Sequence, residues 1–233
     1  GVMFNTFRSF ILIFLIFPSS FFPAELNQIE EASELKEVFL DFKYPDKKIQ
    51  IIADRSYILS DKIFELQGVS IATQAGDKSL NINSSIATYD QSLKKIYMED
   101  SVKFVTRLED KQIIISSEEL QYDFREDNLS SSKKSIVTFN ELKVISSNFS
   151  FLQSGEEIKA IFLDGKVSLI LSNEISTGMA NKVIVLFDKN QILLEGDATF
   201  DQKGLLMKSD FIHYDISKNE IIKSLNSRVE KSI

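Results

Sequence analysis

One histidine, His213, and no cysteine set the limits on what chemistry this chain could do. Without cysteine there is no thiol nucleophile, no thiolate metal site and no disulfide. A single imidazole leaves one candidate for a Ser-His-Asp triad and no pair for a histidine zinc site. His213 directly precedes Tyr214-Asp215, and the matching places elsewhere hold Thr88 and Gln121, which marks it as an ordinary strand residue. Adjacent carboxylates occur at Glu99-Asp100, Glu118-Glu119 and Glu156-Glu157. On a strand, neighbours point to opposite faces, so these make poor acid–base pairs. The acidic run Arg125-Glu126-Asp127-Asn128 lacks EF-hand spacing. No P-loop, GxSxG, HExxH or GxGxxG is present in full. The expectation is a protein that is not an enzyme, with no catalytic residue, no metal and no cofactor.

The whole chain has 233 residues, with 43% hydrophobic and 26% charged residues, a globular composition. Its net charge of −7 argues against nucleic acid as a partner, since such binders carry a basic face. Residues 1–24 start with one charge, Arg8, and then run apolar from Phe10 to Phe17 before Pro18 and Ala24. That pattern reads as a signal peptide or a short membrane anchor. A helix from Phe10 to Phe22 would rise about 20 Å, short of the roughly 30 Å hydrocarbon core. Either reading exports the remainder, and export without cysteine fits a periplasm. Residues 25–37 are acidic and read as a spacer or short helix, and residues 226–233 as a tail.

Between these lies a strand-and-turn texture: β-branched and aromatic runs punctuated by Gly, Asn, Asp and Ser. Tyr89-Asp90, Tyr122-Asp123, Phe187-Asp188 and Tyr214-Asp215 each end a run, at spacings of 33, 65 and 27. A second series starts at Gly68, Asp100, Gly165 and Gly196, each start leading into an apolar alternation, at spacings of 32, 65 and 31. The missing member falls near Ser135-Ile136-Val137-Thr138-Phe139. A unit of about 32 residues therefore recurs between residues 49 and 225, each unit a hairpin with a Gly or Asp interrupting its second strand. Such hairpins bury their apolar faces only by stacking. The expected fold is all-β, elongated and antiparallel, built from stacked hairpin repeats of about 32 residues.

These motifs resemble those of the OstA-like periplasmic lipopolysaccharide-transport family, the LptA and LptC proteins. They are Ile51-Ile52-Ala53-Asp54, Leu66-Gln67-Gly68-Val69-Ser70-Ile71, Ile86-Ala87-Thr88-Tyr89-Asp90, Leu163-Asp164-Gly165-Lys166-Val167, Leu194-Glu195-Gly196-Asp197-Ala198 and Phe211-Ile212-His213-Tyr214-Asp215. The likeness spans about residues 38–225. Two departures stand out. Gly68 leads directly into Val69, which allows a one-residue shift of the first unit, and the stretch from Phe124 to Ser135 is too polar for a strand core.

The resemblance implies a β-jellyroll with an internal apolar groove holding lipid acyl chains, part of a bridge from inner to outer membrane. It implies lipopolysaccharide as a partner, and other Lpt components joined by edge-to-edge β-strand addition. The inner membrane joins them if the leader is retained. Residues of one parity are the expected groove lining: Ile82, Ile86, Ile96, Met98, Val102, Phe104, Ile161, Leu163, Val167, Leu169, Ile192, Leu194, Ala198 and Phe200. The two outer strands are expected near residues 38–54 and 205–215. The alternative is an exported β-repeat module that binds or scaffolds polysaccharide.

Overall fold

The computed structural model describes residues 34–75, 78–108, 111–152, 159–171 and 176–231, without the side chains of residues 78, 108 and 163–166. The apolar leader lies outside the described residues. Sixteen strands form one antiparallel sheet among those described. They are β1 (Glu34–Lys43), β2 (Lys48–Ser60), β3 (Ile63–Ala75), β4 (Lys78–Asp90), β5 (Lys95–Leu108), β6 (Lys111–Asp123), β7 (Asn128–Ser131) and β8 (Ser135–Phe139). Then come β9 (Leu142–Ser146), β10 (Phe149–Leu152), β11 (Lys159–Leu171), β12 (Ser176–Leu186), β13 (Gln191–Gln202), β14 (Leu205–Asp215), β15 (Glu220–Leu225) and β16 (Arg228–Lys231). The expected all-β fold of stacked hairpins is what forms.

Three pairs of short strands are single long strands broken near the middle. β7 and β8 both pair with β6, β10 and β9 both pair with β11, and β15 and β16 both pair with β14. The path through the sheet therefore has 13 rungs. At about 4.8 Å per rung it extends roughly 60 Å.

Nearly every rung is interrupted at the same level. Register shifts fall between Asn83 and Ile86, Glu99 and Val102, Leu163 and Val167, Met179 and Lys182, and Glu195 and Ala198. Positive φ marks the same level at Gly68, Asp100, Ser101, Gly196, Asp197 and Asn226. Bulges bend strands and raise their twist. Here they line up and crease the sheet across its strands. Small buried polar residues sit along the crease, where ladder bonds are lost. Ser84 Oγ reaches the Glu99 carbonyl at 2.8 Å, Ser209 Oγ the Phe211 carbonyl at 2.8 Å, and Ser117 Oγ the Ser135 hydroxyl at 2.8 Å. The Ser84 and Ser209 hydroxyls take up backbone carbonyls, and those of Ser117 and Ser135 satisfy each other.

The crease folds the sheet on itself. A straight strand of 13 residues would hold its end turns about 40 Å apart. Yet Lys47, in the turn after β1, lies 3.4 Å from Asp127, in the turn at the opposite strand ends. Ring pairs span the two halves in the same way: Phe104 with Phe151 at 5.1 Å, Phe139 with Phe187 at 5.1 Å, and Phe200 with Tyr214 at 4.7 Å. The result is two leaves of one sheet, joined at a creased spine, with their apolar faces packed together.

Several expectations need correction. The acidic spacer ends earlier than residue 37, because Glu34–Lys43 pairs with β2. The far edge is β15 with β16, not residues 205–215, and the supposed tail supplies Arg228–Lys231. Residues 124–135 do contain a strand, β7, whose Leu129 is buried between polar neighbours. The first unit is in register, with Ala53 opposite Val69 and Arg55 opposite Gln67.

Candidate functional site

Of the expected lining residues, Ile82, Ile96, Met98, Val102, Phe104, Val167, Leu169, Ile192, Leu194, Ala198 and Phe200 all face the interior and are buried. Ile86 and Ile161 do not. Ile86 is 38% exposed, and Ala160 and Phe162 are the buried residues around Ile161. The bulges explain both. An extra residue at the crease reverses the inward parity, so Leu80 and Ile82 point in before it and Ala87 and Tyr89 after it. The side chain of Leu163 lies outside the described residues.

The interior is a filled core across its middle rather than an open trough. Phe104, Phe151, Phe187 and Phe139 form a continuous chain of edge-on rings between the leaves, all buried. Toward both ends the inward face becomes uncovered. Directly paired residues share a face. Phe200, Met207 and Val229 follow one another across three strands, and exposure rises from 1% at Phe200 to 57% at Val229. At the other end the series Leu66, Ser56, Leu35 goes from 0% to 36%. The apolar interior is thus continuous along the rungs, closed in the middle and open at both ends. A cleft of about 300 Å³ beside Ile170, Met179 and Leu206 lies on the outer face of β11–β14 and is separate from this interior.

Opposite the spine, the turns of the two leaves meet along a seam. Their local structure follows from the repeated Asp. Asp90 Oδ1 accepts from the N–H groups of Ser92 and Leu93, and Asp123 Oδ1 from those of Arg125 and Glu126. Asp215 Oδ1 does the same for Lys218 N–H. Asp side chains bond nearby backbone in this way and tighten the turn. Burial works to raise the Asp123 carboxyl, but Lys95 at 3.1 Å and the two N–H donors outweigh it and hold it below the usual carboxylate range. The last residue of each turn has positive φ: Lys94, Asp127, Asn190 and Asn219. Phe187-Asp188 proves displaced by one residue from this pattern. Phe187 is the first turn residue, equivalent to Phe124 and Ile216, and all three fold inward and are buried.

Two of these turns carry the same polar contact. Tyr122 Oη donates to Asp127 Oδ1 at 2.5 Å, and Lys47 Nζ from the opposite leaf reaches the same oxygen. Tyr214 Oη donates to Asn219 Oδ1, and Gln202 Nε2 from the opposite leaf donates to that oxygen at 2.8 Å. Each is a tyrosine five residues ahead of an acceptor, met across the seam by a donor. The signal in the sequence is Tyr-x4-Asp/Asn, which stands at 122–127 and 214–219. The cross-leaf partners Lys47 and Gln202 have no local signal. Burial, with the Asp127 carboxylate next, pushes the Tyr122 phenol far above its ordinary value, so it remains a donor. Lys47 is 93% covered at its side chain, so loss of Asp127 would leave a buried ammonium without its carboxylate partner. His213 bonds Gln191 across the ladder at 3.0 Å and takes no part in the seam.

Residues 46–161 match the family described as "Lipopolysaccharide-assembly, LptC-related". No curated protein matches the chain. Among solved structures the chain is similar to LptH of Pseudomonas aeruginosa, described as the LptA homologous periplasmic component of the conserved lipopolysaccharide transport device. Identity is 13% and the TM-score 0.45, over 52% of this chain and 94% of that one. Residues 46–161 thus form an LptC-related region of the lipopolysaccharide-assembly family.

Proposed function

We propose that the chain is a non-enzymatic periplasmic carrier that shelters lipopolysaccharide acyl chains between its two leaves. The observation that carries this reading is the inward face, apolar along every rung and uncovered at both ends. An acyl chain in water costs about 0.8 kcal/mol per CH₂ group, so chains of a dozen carbons need continuous apolar cover. A face lined by aliphatic and aromatic residues gives that cover without directional bonds, and neighbouring positions are nearly equivalent, which permits sliding. Sugars and phosphates remain outside. The two outer strands, β1 and β15 with β16, offer unpaired backbone to other Lpt components by strand addition.

The test is a photo-crosslinking amino acid placed at Phe200, at Val229 and at the outward Lys103, followed by exposure to lipopolysaccharide. Capture from Phe200 and Val229 with none from Lys103 is the expected result. Capture from Lys103 alone would overturn the reading.

A further inference from the structure

We propose that the seam is the route by which an acyl chain reaches the sealed middle of the molecule, and that the two tyrosine contacts are latches holding it shut. This rests on the carrier reading above. The ends expose their inward residues, but the aromatic chain from Phe104 to Phe139 blocks passage along the interior. A lipid with several chains and a large polar headgroup cannot thread such a core from an end with its headgroup outside. Sideways admission keeps the headgroup in water throughout.

The spine is poorly suited to open. It is crossed by every long strand, and Ser84 and Ser209 bond backbone carbonyls there. The seam has no ladder bonds across it among the described residues. What crosses it is side chain: Lys47 to Asp127, Gln202 to Asn219, and ring contacts such as Phe42 with Tyr89 and Phe124 and Phe139 with Phe187. The acceptors sit on turn residues, Asp127 and Asn219, which can shift without breaking a strand. Each tyrosine stays with its own turn on the same leaf, so at the latches the polar contacts that parting the leaves must break are those of Lys47 and Gln202. Such a latch gives two discrete states rather than a gradual deformation.

The chain has no cysteine, so introduced ones react alone. Cysteines replace Lys47, Asp127, Gln202 and Asn219, and p-azidophenylalanine replaces Phe104 in one version and Val229 in another. A short bismaleimide staples each facing pair. The two pairs lie several rungs apart, at about 4.8 Å per rung, so the linker cannot join one pair to the other. The same protein capped with N-ethylmaleimide leaves the seam free, and circular dichroism confirms that both forms are folded. Lipopolysaccharide is then added and irradiated. The expected result is capture at Phe104 in the capped form and its loss in the stapled form, with capture at Val229 unchanged by stapling. Equal capture at Phe104 in both forms would overturn the seam route and leave the carrier reading standing. No capture at Phe104 in either form with capture at Val229 retained would likewise overturn the seam route alone, and capture at neither position would overturn both.

Discussion

Among the described residues, Tyr89 buries a hydroxyl that has no partner, and Asn190 buries a carboxamide oxygen in the same condition. The turn pattern accounts for the pair. Tyr89 stands five residues ahead of Lys94, as Tyr122 does ahead of Asp127, but a lysine side chain has nothing to accept with. Asn190 has its acceptor in place, but five residues before it stands Val185. Each turn holds one half of the contact that is complete at the two latches. Lys94 also carries φ of 57°, a conformation that Asn adopts more readily. Lys94→Asn should therefore stabilise the fold by about 1 kcal/mol, since an unsatisfied buried hydroxyl costs about 1–3 kcal/mol. For a chain of this size that is a rise of roughly 2–4 °C in Tm. The gain should shrink when Tyr89→Phe is added, which is read as a double-mutant cycle. An unchanged Tm for the single variant would show that the contact does not form.

At the scale of elements, the crease decides which face each half-strand presents. Gly68 and Gly204 separate its demands from ordinary turn geometry. Both have positive φ, at 62° and 79°. A Cβ on Gly204 would meet nothing within 4 Å, whereas one on Gly68 would lie 2.1 Å from Asp54 Oδ2, directly across the crease. Gly204→Ala should cost only the backbone term, about 1–2 kcal/mol. Gly68→Ala adds the collision and should cost about 2–3 kcal/mol. Asp54→Ala should recover part of that loss for Gly68→Ala and nothing for Gly204→Ala, as read by chemical denaturation. Equal costs at the two glycines would mean that Asp54 swings away freely.

The same crease marks what the sequence reveals about the elements. Alternation within each half-strand was plain, and so were the turn aspartates and the recurring interruption, because local spacing encodes all three. The change of parity across a bulge was not plain. One inserted residue turns every following side chain to the other face, and nothing in the neighbourhood of Ile86 or Ile161 announces where it is inserted. Phe187 shows the same difficulty at a turn, where an aromatic followed by Asp looks alike whether the ring closes a strand or opens the turn. Lys47 and Gln202 were invisible as latch residues because their partners lie 80 and 17 positions away and meet only after the sheet folds.

For the whole molecule, burial grades along the rungs. The middle, with Ile113, Ile115, Val167 and Phe162, is fully covered, while β1 and β16 are largely exposed and β15 nearly so. Each rung contacts mainly its two neighbours within the sheet, an arrangement close to one-dimensional, in which stability sums over adjacent pairs. Terminal rungs have one neighbour instead of two and lose the facing leaf as well. Local opening should then begin at the ends and advance inward, with free energies rising from near zero to the global value. Amide hydrogen exchange followed by mass spectrometry should show β16, β15 and the first half of β1 exchanging first, and β6 with the second half of β11 last. Lipopolysaccharide should slow exchange most in the terminal strands and the seam turns, since those are the parts that a bound chain would cover or hold closed. Uniform protection from β1 to β15 would mean that the sheet opens as one cooperative unit. The ends would then be no easier to part than the middle, and a carrier loaded by local opening would have no place to begin.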